Sequence, residues 1–254
     1  MLPTSALGAG PLLTVIVPVF NEQHTVDALL QRVVDAPCDK QIVVVDDGSR
    51  DGTTEVLAGW RGRPGVDVLG HAVNRGKGAA IRTGLEHARG QFTLVQDADL
   101  EYDPQEYPML LDPLLRGDAD VVYGSRYLRT PRVAGASRLF RCGVSLLNLC
   151  VRYWYGVRLT DEATCYKVFP TPVLRAMRLE CQRFEFCPEV TAKACRMGLS
   201  ILEVPIRYAP RAVAEGKKIR WTDGLQAVAE LWRWRRWRPR PVAALQPPHA
   251  WAVT

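Results

Sequence analysis

The sequence predicts an α/β domain with a mostly parallel central sheet flanked by helices, and three observations lead to this fold class. Between residues 12 and 125, short runs rich in Val, Ile and Phe alternate with stretches whose apolar residues recur at helical spacing, which is the pattern of strand–helix–strand units. The run QIVVVDD at 41–47 is apolar on both faces, as a parallel strand covered by helices on both sides requires. A chain of 254 residues with 47% apolar and 24% charged residues can bury one substantial core and is neither disordered nor fibrous.

The first half of the chain contains five predicted strands and four predicted helices. The strands are expected at 12–20, 41–47, 66–70, 91–97 and 119–125, and the helices at 26–34, 53–59, 78–90 and 104–116. Val26, Leu29 and Val33 share one helical face, Gly90 suits a helix end and Pro104 suits a first turn. Because parallel strands joined by right-handed crossovers end at one edge of the sheet, ligands of such folds bind at that edge.

The second half is less regular. We expect strands at 164–169 and 199–208, and helices at 137–156, 188–198 and 221–238. The domain prediction is a flexible N-terminus at 1–11, one folded domain at 12–220, an amphipathic basic and aromatic helix at 221–238 that lies on a membrane surface, and a disordered tail at 239–254. The tail is rich in Pro and Ala, which cannot build a core.

Charge and cysteine content restrict the partners and the compartment. The net charge is +6, and the segment 207–240 carries ten basic residues against three acids, which favours anionic partners such as phosphates, nucleic acid or an acidic membrane surface. The seven cysteines contain no Cys-x-x-Cys pair, so we expect free thiols in a reducing cytosol. The sequence shows no secretory signal and no run of 18 uncharged apolar residues, so we expect no spanning helix.

The stretch QDADLEYDP at 96–104 places carboxylates at Asp97, Asp99 and Glu101. In an extended chain, alternate residues project to one side, and like charges so close together require a cation among them. Mg²⁺ takes one or two carboxylates and completes its shell with phosphate oxygens and water. The alternative is a solvated acidic turn after a strand. A second acidic cluster, DDGSRD at 46–51, follows another strand.

The stretch NRGKGAAIRTG at 74–84 fits neither of the common nucleotide loops. The glycines do not have P-loop spacing, and Gly78 stands where a P-loop has Ser or Thr. The first strand leads into PVFNEQHT, so a dinucleotide-binding Gly-x-Gly-x-x-Gly motif is also excluded. What remains is a basic, glycine-flanked turn at a helix start, which we expect to hold phosphate by backbone amides and charge.

Five motifs occur in the order and spacing of one known family. They are VIVPVFNE (15–22), VVVDDGSRDGT (43–53), NRGKGAAIRTG (74–84), VQDADLEYDP (95–104) and VVYGSRY (121–127). Together they resemble the family-2 glycosyltransferases of the GT-A fold, and more closely the polyprenyl-phosphate branch that includes the dolichol-phosphate mannose synthases. LTDEATCYKVF (159–169), residues 183–208 and RAVAEGKKI (211–219) are similar to that branch as well. The resemblance covers residues 12 to 225.

The resemblance implies a nucleotide-sugar donor and a divalent cation, Mg²⁺ or Mn²⁺. Asp97 and Asp99 would hold the cation against the donor diphosphate, with Glu101 as a further ligand where the family often has Gln. The implied donor-binding residues are Pro18, Phe20, Glu22, Asp46, Asp47, Arg75, Lys77, Gly78, Asp97, Ala98, Arg211 and Lys218. One of Asp46 and Asp47 would contact the base, and the alternative for either is a turn or helix cap. Arg211 and Lys218 flank a loop that closes over the diphosphate in the family.

The implied acceptor is a polyprenyl phosphate. A phosphomonoester has a second pKa of about 6, so the nucleophile needs no strong general base. Arg126, Arg141 and Ser145 match the acceptor-phosphate clamp, although Arg138 could replace Arg141. Asp161 would orient one of these arginines or contact the sugar, and the alternative for it is a turn residue. The implied catalytic residues are Asp99, Arg126, Arg141 and Asp161.

These observations predict an inverting hexosyltransferase, with mannose from GDP-mannose and a polyprenyl or dolichyl phosphate as the first choice. A UDP-glucose-dependent enzyme on the same acceptor is the alternative. A basic nucleic-acid-binding module that uses the Trp/Arg segment is a third reading, which the metal-site acids disfavour, so we expect no nucleic-acid partner. The helices 137–156 and 221–238 are expected to form a peripheral membrane face, which would place the protein in the cytoplasm on the inner face of the cell membrane.

Overall fold

The computed structural model of this chain describes residues 10–129, 138–210 and 221–239. The predicted flexible N-terminus and disordered tail lie almost entirely outside these ranges. Arg211 and Lys218 lie outside them as well.

One seven-stranded sheet runs through the described chain. The strands are β1 (Leu13–Val19), β2 (Lys40–Asp46), β3 (Val66–Gly70), β4 (Phe92–Val95), β5 (Val121–Ser125), β6 (Lys167–Pro170) and β7 (Ile201–Pro205). Their order across the sheet is β3-β2-β1-β4-β6-β5-β7. The pairs β1–β2, β1–β4, β2–β3 and β5–β7 are parallel, whereas β6 is antiparallel to both of its neighbours. The prediction of a mostly parallel sheet is therefore confirmed.

Eight helices flank the sheet within the described residues. They are α1 (Val26–Asp35), α2 (Thr53–Ala58), α3 (Lys77–His87), α4 (Tyr107–Leu115), α5 (Arg138–Tyr155), α6 (Thr171–Ala176), α7 (Phe186–Arg196) and α8 (Trp221–Trp234). A single 3₁₀ turn at Pro104–Glu106 precedes α4, and the Asp103 side chain caps it by accepting from the amide of Gln105. The seven helices expected from the sequence are present, and α6 was not predicted. Its six residues directly after β6 are too few to show a helical repeat.

The apolar residues pack on both faces of the sheet, and β1 shows how. Val15 and Val17 join the core layer that also holds α1 and α4, while Ile16 between them joins the layer of α3, α5, α6 and α7. This alternation follows from the two-residue repeat of a strand. The double-sided burial explains why the central strands are continuous apolar runs in the sequence.

Helix α8 packs onto the domain rather than lying apart from it. Leu231 and Trp234 are buried in the second core layer, and the Lys193 ammonium on α7 lies 3.8 Å from the centre of a Trp234 ring. The helix after the expected boundary at residue 221 therefore packs on the same core as the domain before that boundary. None of the helices among the described residues is long and apolar enough to cross a membrane.

Candidate functional site at the carboxyl edge of the sheet

The acidic loop after β4 does not continue the strand, which corrects one expectation. β4 ends at Val95, and the chain turns at 98–100, where Leu100 has φ of 62°. The three carboxylates therefore do not project from one extended face. Asp99 accepts a hydrogen bond from the amide of Glu101 (3.2 Å), and Glu101 accepts one from the Tyr208 hydroxyl (2.5 Å).

Asp97 forms an ion pair with Lys77. The Lys77 ammonium lies 2.5 Å from Asp97 Oδ1, and the two side chains are only 21% and 17% exposed. The same ammonium lies 3.2 Å from the Cys165 sulfur. Burial acts to raise the pKa of Asp97, but the charge and hydrogen bond of Lys77, a hydrogen bond from Cys165 and the charge of Arg126 together outweigh it and lower that pKa. Burial likewise opposes the charge on Lys77, but Asp97 together with Cys165 and Cys187 holds the pKa of Lys77 well above its ordinary value. Both side chains are thus charged at neutral pH.

Arg126 and Asp161 form a buried, bidentate ion pair. Arg126 follows β5 directly and is 5% exposed. Its Nε and Nη2 donate to the two oxygens of Asp161 at 2.6 and 2.7 Å, and its backbone amide donates to the same carboxylate at 3.0 Å. The guanidinium carbon lies 5.0 Å from the centre of the Tyr208 ring. The structure therefore brings together two predicted site residues 35 positions apart, with Asp161 orienting Arg126.

Glu203 on β7 fixes the turn that carries Asp161. Its carboxylate accepts hydrogen bonds from the amides of Thr160 (2.7 Å) and Asp161 (2.9 Å) and from the Thr160 hydroxyl (2.9 Å). The Thr160 hydroxyl also lies 2.6 Å from the Ser125 hydroxyl at the end of β5. This network connects the strand ends to the turn, so the position of Asp161 depends on three segments of the chain.

Asp46 acts as a turn cap at the end of β2. It accepts hydrogen bonds from the amide of Ser49 (3.0 Å) and the hydroxyl of Thr54 (2.7 Å). Asp46 therefore makes the contacts expected of a turn cap, while its predicted contact with the base stays a prediction.

Asp47 ties the glycine turn to the sheet. It lies 2.6 Å from His71 Nδ1 and accepts from the amides of Arg75 and Gly76 at 2.9 and 2.7 Å. Both carboxylate oxygens of Asp47 thus accept hydrogen bonds from the loop that leads to Lys77.

Four amides at the glycine turn and the start of α3 donate inside the protein, so these four are already used. Besides the two amides bound by Asp47, those of Gly78 and Ala79 donate to the carbonyls of Arg183 and Gln182. Gly76 has φ of 97°, and a Cβ there would lie 2.4 Å from the Gln182 carbonyl oxygen, so glycine is required. We expected backbone amides and positive charge to bind phosphate at this turn. The positive charge is that of Lys77.

A cavity of about 240 Å³ opens beside this turn, at the ends of β2 and β3. Its lining includes Asp46, Arg50, Arg61, His71 and Val73. Its place at the carboxyl ends of parallel strands is the general location of ligands in such sheets.

The remaining predicted residues are spread around the edge. Pro18 is partly buried on β1, and Ala98 is buried in the turn after β4. Phe20 and Glu22 lie in the loop after β1, where Glu22 accepts from the Thr25 hydroxyl at 2.9 Å. The side chain of Arg75 is exposed.

Arg141 and Ser145 lie one turn apart on α5. Ser145 is exposed and Arg141 is partly exposed. Burial raises the pKa of Tyr127, and the charges of Arg126 and Arg141 both oppose that rise. Both arginines therefore lie within electrostatic range of Tyr127.

The oxygen donors at the edge suit a hard divalent cation that a diphosphate also binds. Within the described ranges, no group of three or more His, Cys, Asp or Glu side chains is arranged to hold a metal ion alone. Mg²⁺ is commonly held by one or two carboxylates together with substrate phosphates, and the loop after β4 carries the carboxylates of Asp97 and Asp99. These residue types thus fit the cation, and the Lys77 ammonium lies 2.5 Å from Asp97 Oδ1, one of the oxygens that would hold it.

Four residues at this edge were not singled out from the sequence: Tyr102, Cys165, Glu203 and Tyr208. The ring centres of Tyr102 and Tyr208 lie 5.3 Å apart. Cys165 was interpreted only as a free thiol, and all seven cysteines are free. The segments 159–169 and 183–208 carried the family resemblance, and this was the only signal that pointed to Cys165, Glu203 and Tyr208.

The fold and this edge define a class of protein. The crystal structure of Mycobacterium tuberculosis glucosyl-3-phosphoglycerate synthase superimposes with a TM-score of 0.67 at 22% identity, covering 92% of this chain and 83% of that one. A second structure of that enzyme, in complex with Mn²⁺, uridine diphosphate and phosphoglyceric acid, gives 0.65 at 20% identity, covering 92% and 81%. At this identity the likeness shows the fold, which is GT-A.

The chain belongs to glycosyl transferase family 2, whose model matches residues 14–152. It is 33% identical over 229 residues to the undecaprenyl-phosphate mannosyltransferase of Micrococcus luteus, covering 86% of this chain and 92% of that protein. It is 32% identical over 213 residues to the undecaprenyl-phosphate 4-deoxy-4-formamido-L-arabinose transferase of Aeromonas hydrophila, covering 81% of this chain and 62% of that protein. The chain therefore spans less than two thirds of the Aeromonas relative.

Proposed function

We propose that this protein transfers a sugar from a nucleotide-sugar donor to a polyprenyl phosphate, with inversion at the sugar carbon. The observation that carries the proposal is the pairing of two charged centres at one edge of the sheet, Asp97 with Lys77 and Arg126 with Asp161. The charge of Arg126 also lowers the pKa of Asp97, which indicates that the two centres are neighbours. Both relatives named above are undecaprenyl-phosphate sugar transferases, which supports the acceptor class.

Each centre has a distinct task in this reaction. Asp97 and Asp99 would hold Mg²⁺ or Mn²⁺, which supplies Lewis-acid stabilisation of the departing diphosphate. Arg126 would bind the acceptor phosphate. Because Asp161 keeps the Arg126 guanidinium fixed, the side chain loses little conformational freedom when the acceptor binds. Arg141 and Ser145 would extend this phosphate site along α5. An acceptor that is already ionised needs no general base, so positioning is the main catalytic contribution of these residues.

The finer proposal is a mannosyl donor, GDP-mannose. It is supported by the Micrococcus luteus mannosyltransferase, of which this chain covers 92%. UDP-glucose on the same acceptor is the second candidate, and the Aeromonas relative adds a formamido-arabinose donor. The cavity beside Asp46 would take the nucleoside. Its lining of polar and basic side chains suits a nucleotide without selecting guanine over uracil.

The acceptor is a membrane lipid, and α5 and α8 provide a surface that fits an anionic bilayer. On α5, Leu149 and Tyr153 are 59% and 82% exposed, and Leu146 is exposed on the same face. Trp232 on α8 is half exposed and packs against Trp154 of α5, with ring centres 5.7 Å apart. We call Leu146, Leu149, Tyr153 and Trp232 the apolar face.

Basic groups border the apolar face. The Arg235 guanidinium lies over the Trp232 ring at 3.1 Å, and Arg152 is exposed on α5. Aromatic rings and arginines both suit the headgroup region of a membrane. The proposed location is therefore peripheral, on the inner face of the cell membrane.

A donor screen tests the proposed function. The full chain is incubated with a short polyprenyl phosphate, Mn²⁺ or Mg²⁺ and radiolabelled GDP-mannose, UDP-glucose or another nucleotide sugar, and lipid-linked label is counted. We expect transfer from one donor, and a loss of at least about a hundredfold in Asp99→Asn, by analogy with other electrostatic transition-state contacts. Asp112→Asn, an exposed change on α4, is the matched control. Transfer that persists in EDTA, or in Asp99→Asn at the wild-type rate, would refute the cation site, and no transfer from any donor would refute the function.

A further inference from the structure

Lys77 is held rigidly at its backbone while its side chain reaches the acidic loop. It is the first residue of α3, and the amides on both sides of it are fixed, that of Gly76 by Asp47 and that of Gly78 by the Arg183 carbonyl. Its ammonium lies between Asp97 Oδ1 at 2.5 Å and the Cys165 sulfur at 3.2 Å. The anchored end and the charged end are joined by four flexible methylenes.

This arrangement sets two cations in competition for one carboxylate. A divalent cation bound at Asp97 would share its oxygen with Lys77, or the ammonium would have to leave. Two positive charges at such short range repel each other strongly where water is largely excluded. A nucleoside diphosphate changes the balance, because its phosphate oxygens provide a new partner for the ammonium beside the cation.

We propose that Lys77 occupies the place of the cation in the nucleotide-free protein and transfers to the donor diphosphate when the cation binds. Metal and donor then bind cooperatively, and the protein holds the metal weakly until the nucleotide arrives. This inference rests on the proposed function, since it takes the donor to be a nucleoside diphosphate sugar and Asp97 to be a cation ligand. It gives Lys77 a positioning role in both states of the site.

The test measures Mn²⁺ binding directly, without catalysis. Free Mn²⁺ is titrated by electron paramagnetic resonance against wild type, Lys77→Gln, Lys77→Arg and Asp97→Asn, with no nucleotide present. Lys40→Gln is the matched control, because Lys40 begins β2 at the opposite edge of the sheet and removal of its charge tests a general effect of net charge. Circular dichroism and thermal unfolding check that each variant is folded.

The expected result is a change of opposite sign in two measurements. Without nucleotide, Lys77→Gln should bind Mn²⁺ about tenfold more tightly than wild type, a common size for coupling between sites. With Mn²⁺ in excess, the same variant should bind GDP or UDP, whichever wild type prefers, about tenfold more weakly, because the contact with the diphosphate is lost. Lys77→Arg keeps the positive charge and should bind Mn²⁺ alone as weakly as wild type. Lys40→Gln should match wild type in both measurements.

The outcomes separate this inference from the proposed function. If Lys77→Gln binds Mn²⁺ alone no more tightly than wild type while Asp97→Asn abolishes that binding, the cation site stands and the competition is refuted. If Lys40→Gln tightens Mn²⁺ binding as much as Lys77→Gln does, net charge explains the change and the inference is also refuted. If Asp97→Asn leaves Mn²⁺ binding unchanged, the cation does not bind at Asp97, and both the inference and the proposed cation site are wrong.

Discussion

At the scale of single residues, Asp161 determines how Arg126 is presented. Three donors of Arg126 converge on one carboxylate, and both side chains are buried. A buried ion pair is costly to form, but removal of one partner leaves an uncompensated charge in the interior. Asp161 is therefore required for the fold near the site as well as for the direction of the guanidinium.

We expect Asp161→Asn to lower the free energy of unfolding by about 3–5 kcal/mol, the cost of breaking a buried pair. The matched control is Asp112→Asn, which removes an Asp–Arg pair on α4 whose side chains are 57% and 60% exposed; the loss there should be below about 1 kcal/mol. Urea denaturation of both variants measures the difference. Equal losses would mean that the Arg126–Asp161 pair contributes no more than a surface pair.

At the scale of elements, α5 combines two tasks on different faces. Val144, Leu147 and Val151 bury one face against the second core layer. Arg141 and Ser145 lie near its start, and the apolar face continues along its exposed side. An 18-residue helix can do this because its residues cover the whole circumference several times.

The first prediction for α5 concerns the acceptor phosphate. Arg141→Gln should raise KM for a short polyprenyl phosphate and leave KM for the donor nearly unchanged, because a guanidinium that binds the acceptor is lost. Arg32→Gln, at an exposed arginine in the last turn of α1, is the control and should change neither constant. If only the donor KM rises, Arg141 belongs to the other phosphate site.

The second prediction for α5 concerns the membrane. Leu149→Glu should reduce sedimentation with anionic liposomes, since it places a negative charge in the middle of the apolar face. Val34→Glu, an exposed apolar residue on α1, is the control and should sediment like wild type. Unchanged sedimentation of Leu149→Glu would refute the membrane role of this face.

At the scale of the whole molecule, Glu162 links stability to pH. Its side chain is fully buried beside Lys167 and Asp161. Burial raises its pKa to about 7, although the charge of Lys167 acts in the opposite direction. Between the unfolded value near 4.5 and 7, the folded state holds a proton that the unfolded state has lost. Stability from this group is therefore full below pH 4.5 and is lost as pH rises through 7.

We expect Glu162→Gln to be increasingly stabilised relative to wild type as pH rises from 5 to 8, because glutamine stays neutral. The gain is at most about 3 kcal/mol, from about 1.4 kcal/mol per pKa unit. Thermal unfolding at pH 5, 6, 7 and 8 measures it. Glu86→Gln, at an exposed position on α3, should show no such trend, and a parallel shift of the Glu162→Gln curve at every pH would contradict the assignment.

The sequence by itself determined most of the elements, the class of fold and the neighbourhood of the site. Apolar periodicity is a local property, so the double-sided burial of the strand ending at Asp46 and the helix containing Val26, Leu29 and Val33 were visible within short windows. The acids after β2 and β4 lie at the carboxyl edge because parallel strands all end there. Motif order then pointed to the family.

Only the tertiary structure decided which side chains meet. The ion pair of Lys77 with Asp97 joins the start of α3 to the loop after β4, and Asp47 holds the glycine turn. The reversed direction of β6 depends on its two neighbours and has no local signal. Periodicity fixes the face on which a residue lies, whereas contacts at the site arise where separate loops converge, and that convergence depends on the packing of the whole chain.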